Sequence, residues 1–505
     1  MSETEPDRQA GRDQAAPDES EQMRVRREKL ARLQAAGVDG YPVGVRRTTT
    51  NAELRARFGD LAPDAETGER VSVVGRVVLK RDGGKLCFAT LRDGSGELQM
   101  MLSLDRLGEE RLGEWKRDVD LGDHVSVDGE VVSSRRGELS VMAQSWTLAS
   151  KALRPLPEKW HGLADEEARV RRRYLDLIVN PDARRLFETR AKVLGSLRKT
   201  LADRGFVEAE TPILQAIHGG ATARPYASHM NAFDMPVYLR IALELYLKRL
   251  VVGGVERVYE IGRNFRNEGV DATHANDFTM LEAYEAYGDY DTMADLTRAL
   301  ILDAARATGS TIVARAGGGE LELDQTWRRV TVYGAVSEAV GEEVTPDTSV
   351  EDLRRIAAAS EVALQPSWGA AEIVLELLEQ LVEHTLIDPT FVCDYPAAVR
   401  PLARPHRDDP RLAEAWDLII NGVELAPAYS ELVDPIEQRR RLTEQSLKAA
   451  GGDPEAMQLD EDFLRALEHG APPMGGLGLG VDRLLMLLTG ENIRQTITFP
   501  MVRPE

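Results

Sequence analysis

Hydrophobic and polar residues alternate with a period of two along five stretches in the first third of the chain. These are Val71–Val78, Leu86–Leu91, Glu97–Leu102, His124–Val132 and Glu138–Ala143. That rhythm belongs to strands with one buried face. Turn-forming runs separate them, among them Asp82-Gly83-Gly84, Asp93-Gly94-Ser95-Gly96 and Arg135-Arg136-Gly137. Five short strands punctuated in this way predict a small barrel of the OB-fold type over residues 61–150. Upstream, residues 21–60 predict a helical segment. Residues 1–20 are polar, acidic and poor in aromatic side chains, which predicts a disordered tail. The proline-flanked run Leu153-Arg154-Pro155-Leu156-Pro157 marks a linker over 151–185. From 186 to 505 helical and extended patterns mix without regular βαβ alternation, so the fold class is α+β around an antiparallel sheet and not a doubly wound fold. An Ala-, Leu- and Glu-rich stretch predicts a helical insertion around 345–390. No internal repeat is present.

Three segments carry candidate chemistry. In residues 256–287 two extended runs flank a polar loop containing Gly269. Alternation in the second run places Phe278, Met280, Glu282 and Tyr284 on one face, with Thr279, Leu281 and Ala283 on the other. A carboxylate sharing a face with Phe and Met is costly unless it meets a cation. An ordinary polar-faced strand is the plainer reading. The approach to the loop, Arg263-Asn264-Phe265-Arg266-Asn267-Glu268, supplies guanidinium groups that could hold a phosphate or carboxylate at two points, or make surface ion pairs. The second segment, Gly475-Gly476-Leu477-Gly478-Leu479-Gly480, runs into a predicted helix with Arg483 in its first turn. Its glycines allow a flat ligand to approach the backbone. Neither the dinucleotide-binding glycine pattern nor a P-loop is present, so any ATP is bound in another way. The third, residues 416–432, has acidic residues at 417, 424 and 431. Hard oxygen ligands beside a triphosphate suit Mg²⁺, and an acidic rim on a surface hairpin is the alternative.

A formal net charge of −21 argues against a general nucleic-acid-binding surface, although local clusters decide phosphate contact. One such cluster is Arg24, Arg26, Arg27, Lys29 and Arg32, which reads either as a solvated helix face or as an RNA contact. The two cysteines, Cys87 and Cys393, read as reduced core residues with no disulfide framework and no metal-ligand pair. No apolar run reaches the length of a membrane span, and the N-terminus lacks the apolar core of a signal peptide. A cytoplasmic location without membrane attachment is therefore expected.

Together with Gly205-Phe206-Val207-Glu208-Ala209-Glu210-Thr211-Pro212, these three segments resemble, in order and spacing, the three signature motifs of class II aminoacyl-tRNA synthetases. Further stretches resemble lysyl-tRNA synthetases specifically: Lys151–Pro157, Arg173-Tyr174-Leu175-Asp176-Leu177, and Glu244-Leu245-Tyr246-Leu247-Lys248-Arg249 with Val251-Val252-Gly253-Gly254. The resemblance spans about residues 22–505. It implies an OB-fold anticodon-binding domain, then a catalytic domain on a six-stranded antiparallel sheet. It also implies a homodimer, with Pro212 in the interface motif. The implied activity is ATP-dependent conversion of L-lysine to lysyl-adenylate, followed by transfer to the 3′ end of tRNA(Lys). By the same resemblance Arg266 clamps the α-phosphate and the amino acid carboxylate, and Phe278 stacks on adenine with Arg483 on its other face. Glu268 lies at the adenine edge and His274 near the γ-phosphate. Asp417 and Glu424 hold Mg²⁺. Gly220 and Glu244 meet the α-amino group, and Glu282, Tyr284 and Glu431 surround the ε-ammonium. In the barrel, Phe88, Gln99 and Glu138 read the anticodon, with Arg81 close by. The residue types suit this chemistry. No enzyme nucleophile is needed, so catalysis is positioning and charge stabilisation, and paired carboxylates select a cationic side chain.

The sequence departs from the family at several places. Pro427-Ala428 stand where an Asn-Gly pair is usual, Leu243 where Pro is, Asp417 where Glu is, and Thr273, Ala275 and Asn276 where many members have Arg, Asn and Pro. Pro427 cannot offer a carboxamide to the substrate carboxylate. Two other readings stay open: a paralogue activating a different amino acid or a lysine analogue, and a non-catalytic tRNA-binding regulator. The retained arginines and carboxylates argue against the second. The acidic residues of the first and third segments disfavour an acidic amino acid substrate.

Overall fold

The computed structural model describes residues 20–157, 163, 165–450 and 455–503. All but the last residue of the expected disordered tail lies outside them. The chain forms two compact units that divide at residues 162 and 163.

The first unit opens with α1 (Glu21–Ala35), capped by the Ser20 side chain, and α2 (Asn51–Phe58). Then come β1 (Glu66–Arg81), β2 (Leu86–Arg92), β3 (Glu97–Ser103), α3 (Leu104–Asp118), β4 (His124–Ser133) and β5 (Leu139–Ser150). The strands close a barrel in the order β1-β2-β3-β5-β4. Alternation works as the pattern predicts: in β2 and β3 every second residue is buried. Helix α3, which the strand rhythm does not reveal, adds Leu112 and Trp115 to the same core. The basic face of α1 is divided, with Arg24 and Arg27 exposed as a solvated face would have them. Arg26 is buried and donates to the carbonyls of Leu121, Ala152 and Arg154. Lys29 and Arg32 pair with Asp120 and Asp118, each at 2.6 Å. These three cations fasten the helix to its own unit.

The second unit begins with α4 (Glu166–Arg171), α5 (Arg173–Val179) and α6 (Pro181–Asp203). The latter part of the stretch expected as linker is therefore helical. The reason lies in Arg173, which is buried and donates to Asp176, to the Gln495 side chain and to the carbonyls of Arg494, Gln495 and Thr498.

Next in sequence are β6 (Val207–Glu208), β7 (Leu214–Gln215), β8 (Ala227–Met230), β9 (Met235–Leu239), α7 (Glu244–Val252), β10 (Arg257–Phe265), β11 (Asp277–Ala286) and α8 (Tyr290–Thr308). Then follow β12 (Ile312–Ala314), β13 (Glu320–Glu322), β14 (Arg328–Thr331), α9 (Val332–Val340), α10 (Val350–Ala359) and α11 (Ala370–Leu381). The last elements are β15 (Thr390–Pro396), β16 (Leu412–Ile420), β17 (Val423–Ser430), α12 (Pro435–Ala450), α13 (Glu461–Glu468), β18 (Met474–Gly480), α14 (Val481–Thr489) and α15 (Ile493–Thr496).

The main sheet runs β14-β15-β16-β17-β18-β11-β10-β6. Its six central strands are antiparallel, as the resemblance implies. A short parallel strand adds to each edge and corrects the total to eight. One face of the sheet packs on α6, α8 and α14 in a core that includes Leu197, Leu281, Ala283, Leu300, Leu418, Leu479 and Leu484. Burying that face leaves the opposite side chains of β11, β17 and β18 free to line a cavity. Helices α9, α10 and α11 share a second core with Val392, Tyr395 and Ile419 of β15 and β16.

Candidate active site

The cavity has a volume of about 440 Å³. Gly220, Glu244, Arg266, Glu268, His274, Phe278, Glu282, Tyr284, Glu424, Glu431 and Arg483 all line it. Eleven residues singled out from sequence thus converge on one space, although residues 220 and 483 are far apart in the chain. Asp417 is not on the wall. It is buried behind Arg400 and ion-paired to it.

Strand register does most of the assembly. Glu282 faces Gly478 and Tyr284 faces Gly476 across the β11–β18 ladder, and Tyr429 pairs with Gly476 from the other side. The glycines are required by space. A Cβ on Gly476 would lie 2.0 Å from Oε1 of Glu431 and 2.5 Å from the Tyr284 ring, and one on Gly478 would lie 2.8 Å from Met280. Gly220 combines a φ of +87° with neighbours 3.1 Å from any Cβ, so its loop can approach α7 only without a side chain.

One end of the cavity is acidic and buried. Glu282 accepts from the Leu243 backbone N–H at 2.9 Å and from the Tyr284 hydroxyl at 3.1 Å. Burial and the nearby Glu244 push its carboxyl up to about 7. Burial pushes Glu431 up to about 8, against the pull of Lys248, and also raises Glu244. Lys248, one turn along α7, was not anticipated from sequence. Its ammonium, only 1% exposed, pairs with Glu244 at 2.5 Å and with Glu431. Three carboxylates face one resident ammonium here. The pocket is therefore short of positive charge, which is what a cationic ligand would supply.

The other end is cationic and aromatic. The Arg266 guanidinium stands 5.2 Å from the Phe278 ring centroid. Burial depresses its pKa, while Glu268, Glu282 and Glu424 oppose that effect. The loop between β10 and β11 is closed by Asn276, whose side chain donates to the carbonyls of Arg266 and Glu268 at 2.8 and 2.7 Å. Asn276, one of the departures from the family pattern, is thus used structurally. Glu268 accepts from the Arg224 backbone N–H at 3.1 Å. His274 contacts Asp271 at 2.9 Å and, through Nε2, Arg483 at 3.1 Å. Arg483 also donates to the Glu424 carbonyl at 2.8 Å. Asp482, again unanticipated, fixes the start of α14. It accepts from the Thr279 backbone N–H at 2.6 Å and from Arg190 at 2.5 Å.

Pro427 sits opposite Asp417 in β17, and pairing of β17 with β18 begins only at Ala428. A proline, which has no N–H to give, is accommodated in this inner strand because it lies just outside the β18 ladder and one residue from an irregularity in the β16 pairing. It lines the cavity; Ala428 is turned into the core.

In the barrel, Arg81 pairs with Phe88, Phe88 with Met101, and Gln99 with both Thr90 and Ser140. Phe88 and Gln99 occupy the outward positions of β2 and β3. Gln99 donates to the Ser140 hydroxyl at 2.9 Å, and exposed Glu138 pairs with Arg55 of α2 at 3.3 Å. Arg81, Phe88 and Gln99 are thus on adjoining strands of one barrel, and Glu138 lies in the turn that leads into β5.

A cleft with an acidic pocket at one end and arginines around an aromatic ring at the other, on an antiparallel sheet, is the architecture of a class II synthetase. The chain belongs to that family: residues 165–503 match the group described as tRNA synthetases class II (D, K and N), and residues 71–149 match the OB-fold nucleic acid binding domain. Within it, the chain is 54% identical to a lysine–tRNA ligase of Kineococcus radiotolerans over 98% of its own length and 99% of that protein's. It is 54% identical to one of Mycolicibacterium gilvum over 97% and 98%. It is also 53% identical to the lysylphosphatidylglycerol biosynthesis bifunctional protein LysX of Mycobacterium ulcerans, matching 96% of this chain but only 44% of that longer protein.

Proposed function

We propose that the chain is a lysine–tRNA ligase. The observation that carries this reading is the buried set Glu244, Glu282, Tyr284 and Glu431 at one end of a cavity whose other end holds Arg266, Phe278 and Arg483. Glu244 and Gly220 receive the α-ammonium of lysine, while Glu282, Tyr284 and Glu431 receive the ε-ammonium. The substrate carboxylate then projects toward Arg266. Adenine stacks on Phe278 with Arg483 on its other face, Glu268 reads its edge and His274 meets the γ-phosphate.

A lysine carboxylate oxygen attacks the α-phosphorus in line. An O–P bond forms as the bond to the bridging oxygen of the β-phosphate breaks, and pyrophosphate leaves with the electron pair. Arg266 stabilises the charge on the α-phosphate, and positioning supplies most of the remaining rate. The terminal ribose hydroxyl of tRNA then attacks the acyl carbon, releasing AMP and the hydroxyl proton. Glu424 on the cavity wall is a hard donor suited to Mg²⁺, which if bound would neutralise phosphate charge; Asp417, the second expected donor, is held by Arg400. Phe88, Gln99, Glu138 and Arg81 bind the anticodon by stacking and edge contacts. Exposed Val207, Ile213 and Leu214 beside Pro212 support a homodimer built on that segment.

The test is ATP–pyrophosphate exchange with a panel of amino acids. Lysine should drive exchange, and failure of lysine while another amino acid succeeds would reject the reading. Pro427 on the cavity wall favours including lysine analogues in the panel, since a paralogue with shifted specificity would respond to one of them.

A further inference from the structure

One charged group on the cavity wall has no part in the reading above. Arg400 follows β15, lines the cavity, is ion-paired to Oδ2 of Asp417 and lies 4.0 Å from the Tyr395 ring centroid. Its backbone carbonyl accepts from Arg441 at 3.2 Å, and Arg441 also donates to the Ala403 carbonyl at 2.9 Å, so the turn is pinned from behind. Burial works against the Arg400 charge, but Asp417, Tyr429, Tyr395 and Glu424 overcome it and hold the guanidinium protonated. Further acids, Glu379 and Glu383, couple to Asp417 and Glu424.

Two atoms of this arrangement are buried without a satisfactory hydrogen bond: Nε of Arg400 and Oδ1 of Asp417. The Tyr395 hydroxyl is near enough to Asp417 to act on it as a hydrogen-bond donor, though not in good hydrogen-bond geometry. Unsatisfied buried donors and acceptors are rare unless a ligand completes them. The donor calls for an anionic oxygen and the acceptor for a cation, and both stand beside the cleft read above as an ATP site. Asp417 is behind the cavity wall and Arg400 is on it.

We propose that Arg400 is a resident cation of the triphosphate subsite. Its guanidinium binds a phosphate oxygen while retaining Oδ2 of Asp417, and it supplies the positive charge that a divalent cation on Asp417 would otherwise bring. This rests on the reading of the cavity as an ATP site. A guanidinium suits the task because its planar fork can serve a carboxylate and a phosphate together.

The test uses the full chain with an ATP analogue carrying methylene between the α- and β-phosphates, which cannot react. Bound Mn²⁺ is counted by equilibrium dialysis and electron paramagnetic resonance for the wild type, Arg400→Ser and Arg400→Lys. Arg400→Ser should bind one more Mn²⁺ per chain than the wild type, and Arg400→Lys should keep the wild-type count. With metal chelated, Arg400→Ser should bind the analogue at least about tenfold more weakly than the wild type. If Arg400→Ser does not fold, Arg400→Gln keeps most of the side chain without its charge and gives the same comparison. An unchanged Mn²⁺ count overturns the role of Arg400 alone. A wild type that binds no analogue overturns it together with the ATP site.

Discussion

Replacing Glu431 by Gln separates charge from shape in the acidic pocket. The side chain is 3% exposed, paired with Lys248 and pressed against Gly476, so an isosteric amide fits where the carboxylate was. Burial pushes the wild-type carboxyl up to about 8. The carboxylate is also a partner of the buried Lys248 ammonium, so Glu431→Gln leaves that cation with Glu244 alone and should lower the melting temperature of the free protein. Substrate binding is weakened too. A hydrogen bond between charged partners is worth up to about 3 kcal/mol, which the variant forgoes. Because burial raises the Glu431 carboxyl, part of that advantage is offset at pH 7 by the cost of deprotonation, and the wild-type excess in kcat/KM for lysine is smaller there than at higher pH. Near pH 9 the deprotonation cost vanishes and the ratio should approach about 150-fold. The substrate's own amines titrate alike for both proteins and cancel. Lysine-dependent ATP–pyrophosphate exchange from pH 7 to 9 measures the ratio directly. A ratio that stays flat with pH, or an equal loss in kcat/KM for ATP, would refute the reasoning.

Three further outcomes follow from the same geometry. Glu282 and Glu431 have folded-state pKa values of about 7 and about 8, above the ordinary carboxylate value, so the folded protein binds more protons than the unfolded one. Their contribution to stability is therefore greatest below about pH 4.5 and is lost as pH rises to about 8; scanning calorimetry should find that lysine raises the melting temperature more at pH 8 than at pH 6. Phe88→Ala should weaken tRNA charging by about 1–3 kcal/mol in kcat/KM for tRNA while changing tRNA-free pyrophosphate exchange far less, which steady-state kinetics of the two reactions would separate. Converting Pro427-Ala428 to Asn-Gly should lower the lysine KM by restoring a carboxamide near the substrate carboxylate, and a rise would count against that placement.

The parts of this fold that could be read from sequence are those governed by local periodicity. The five barrel strands follow the two-residue alternation, and the split of β11 into a cavity face with Phe278, Met280, Glu282 and Tyr284 and a core face with Leu281 and Ala283 is visible in the order of residues alone. What the sequence hid depends on partners far away in the chain. Lys248 reads as one more lysine on a helix until β17 brings Glu431 against it. Arg400 has no local pattern, and only the β15–β16 pairing places Asp417 within its reach. The basic run on α1 reads as surface because its acceptors, Asp118, Asp120 and carbonyls beyond residue 120, lie about ninety or more positions further on. The two parallel edge strands are only two and four residues long, too short for any period to register.

The account turns on carboxylates that demand an ammonium at the end of the substrate. Norleucine keeps the four side-chain carbons of lysine and lacks the terminal ammonium, so its ATP–pyrophosphate exchange relative to lysine is the most direct test. A site that leaves buried polar groups unpaired with the wrong substrate should discriminate by about 10⁴-fold or more in kcat/KM. Comparable exchange with norleucine, or none with lysine, would contradict the assignment of Glu282, Tyr284 and Glu431 to the substrate's side chain.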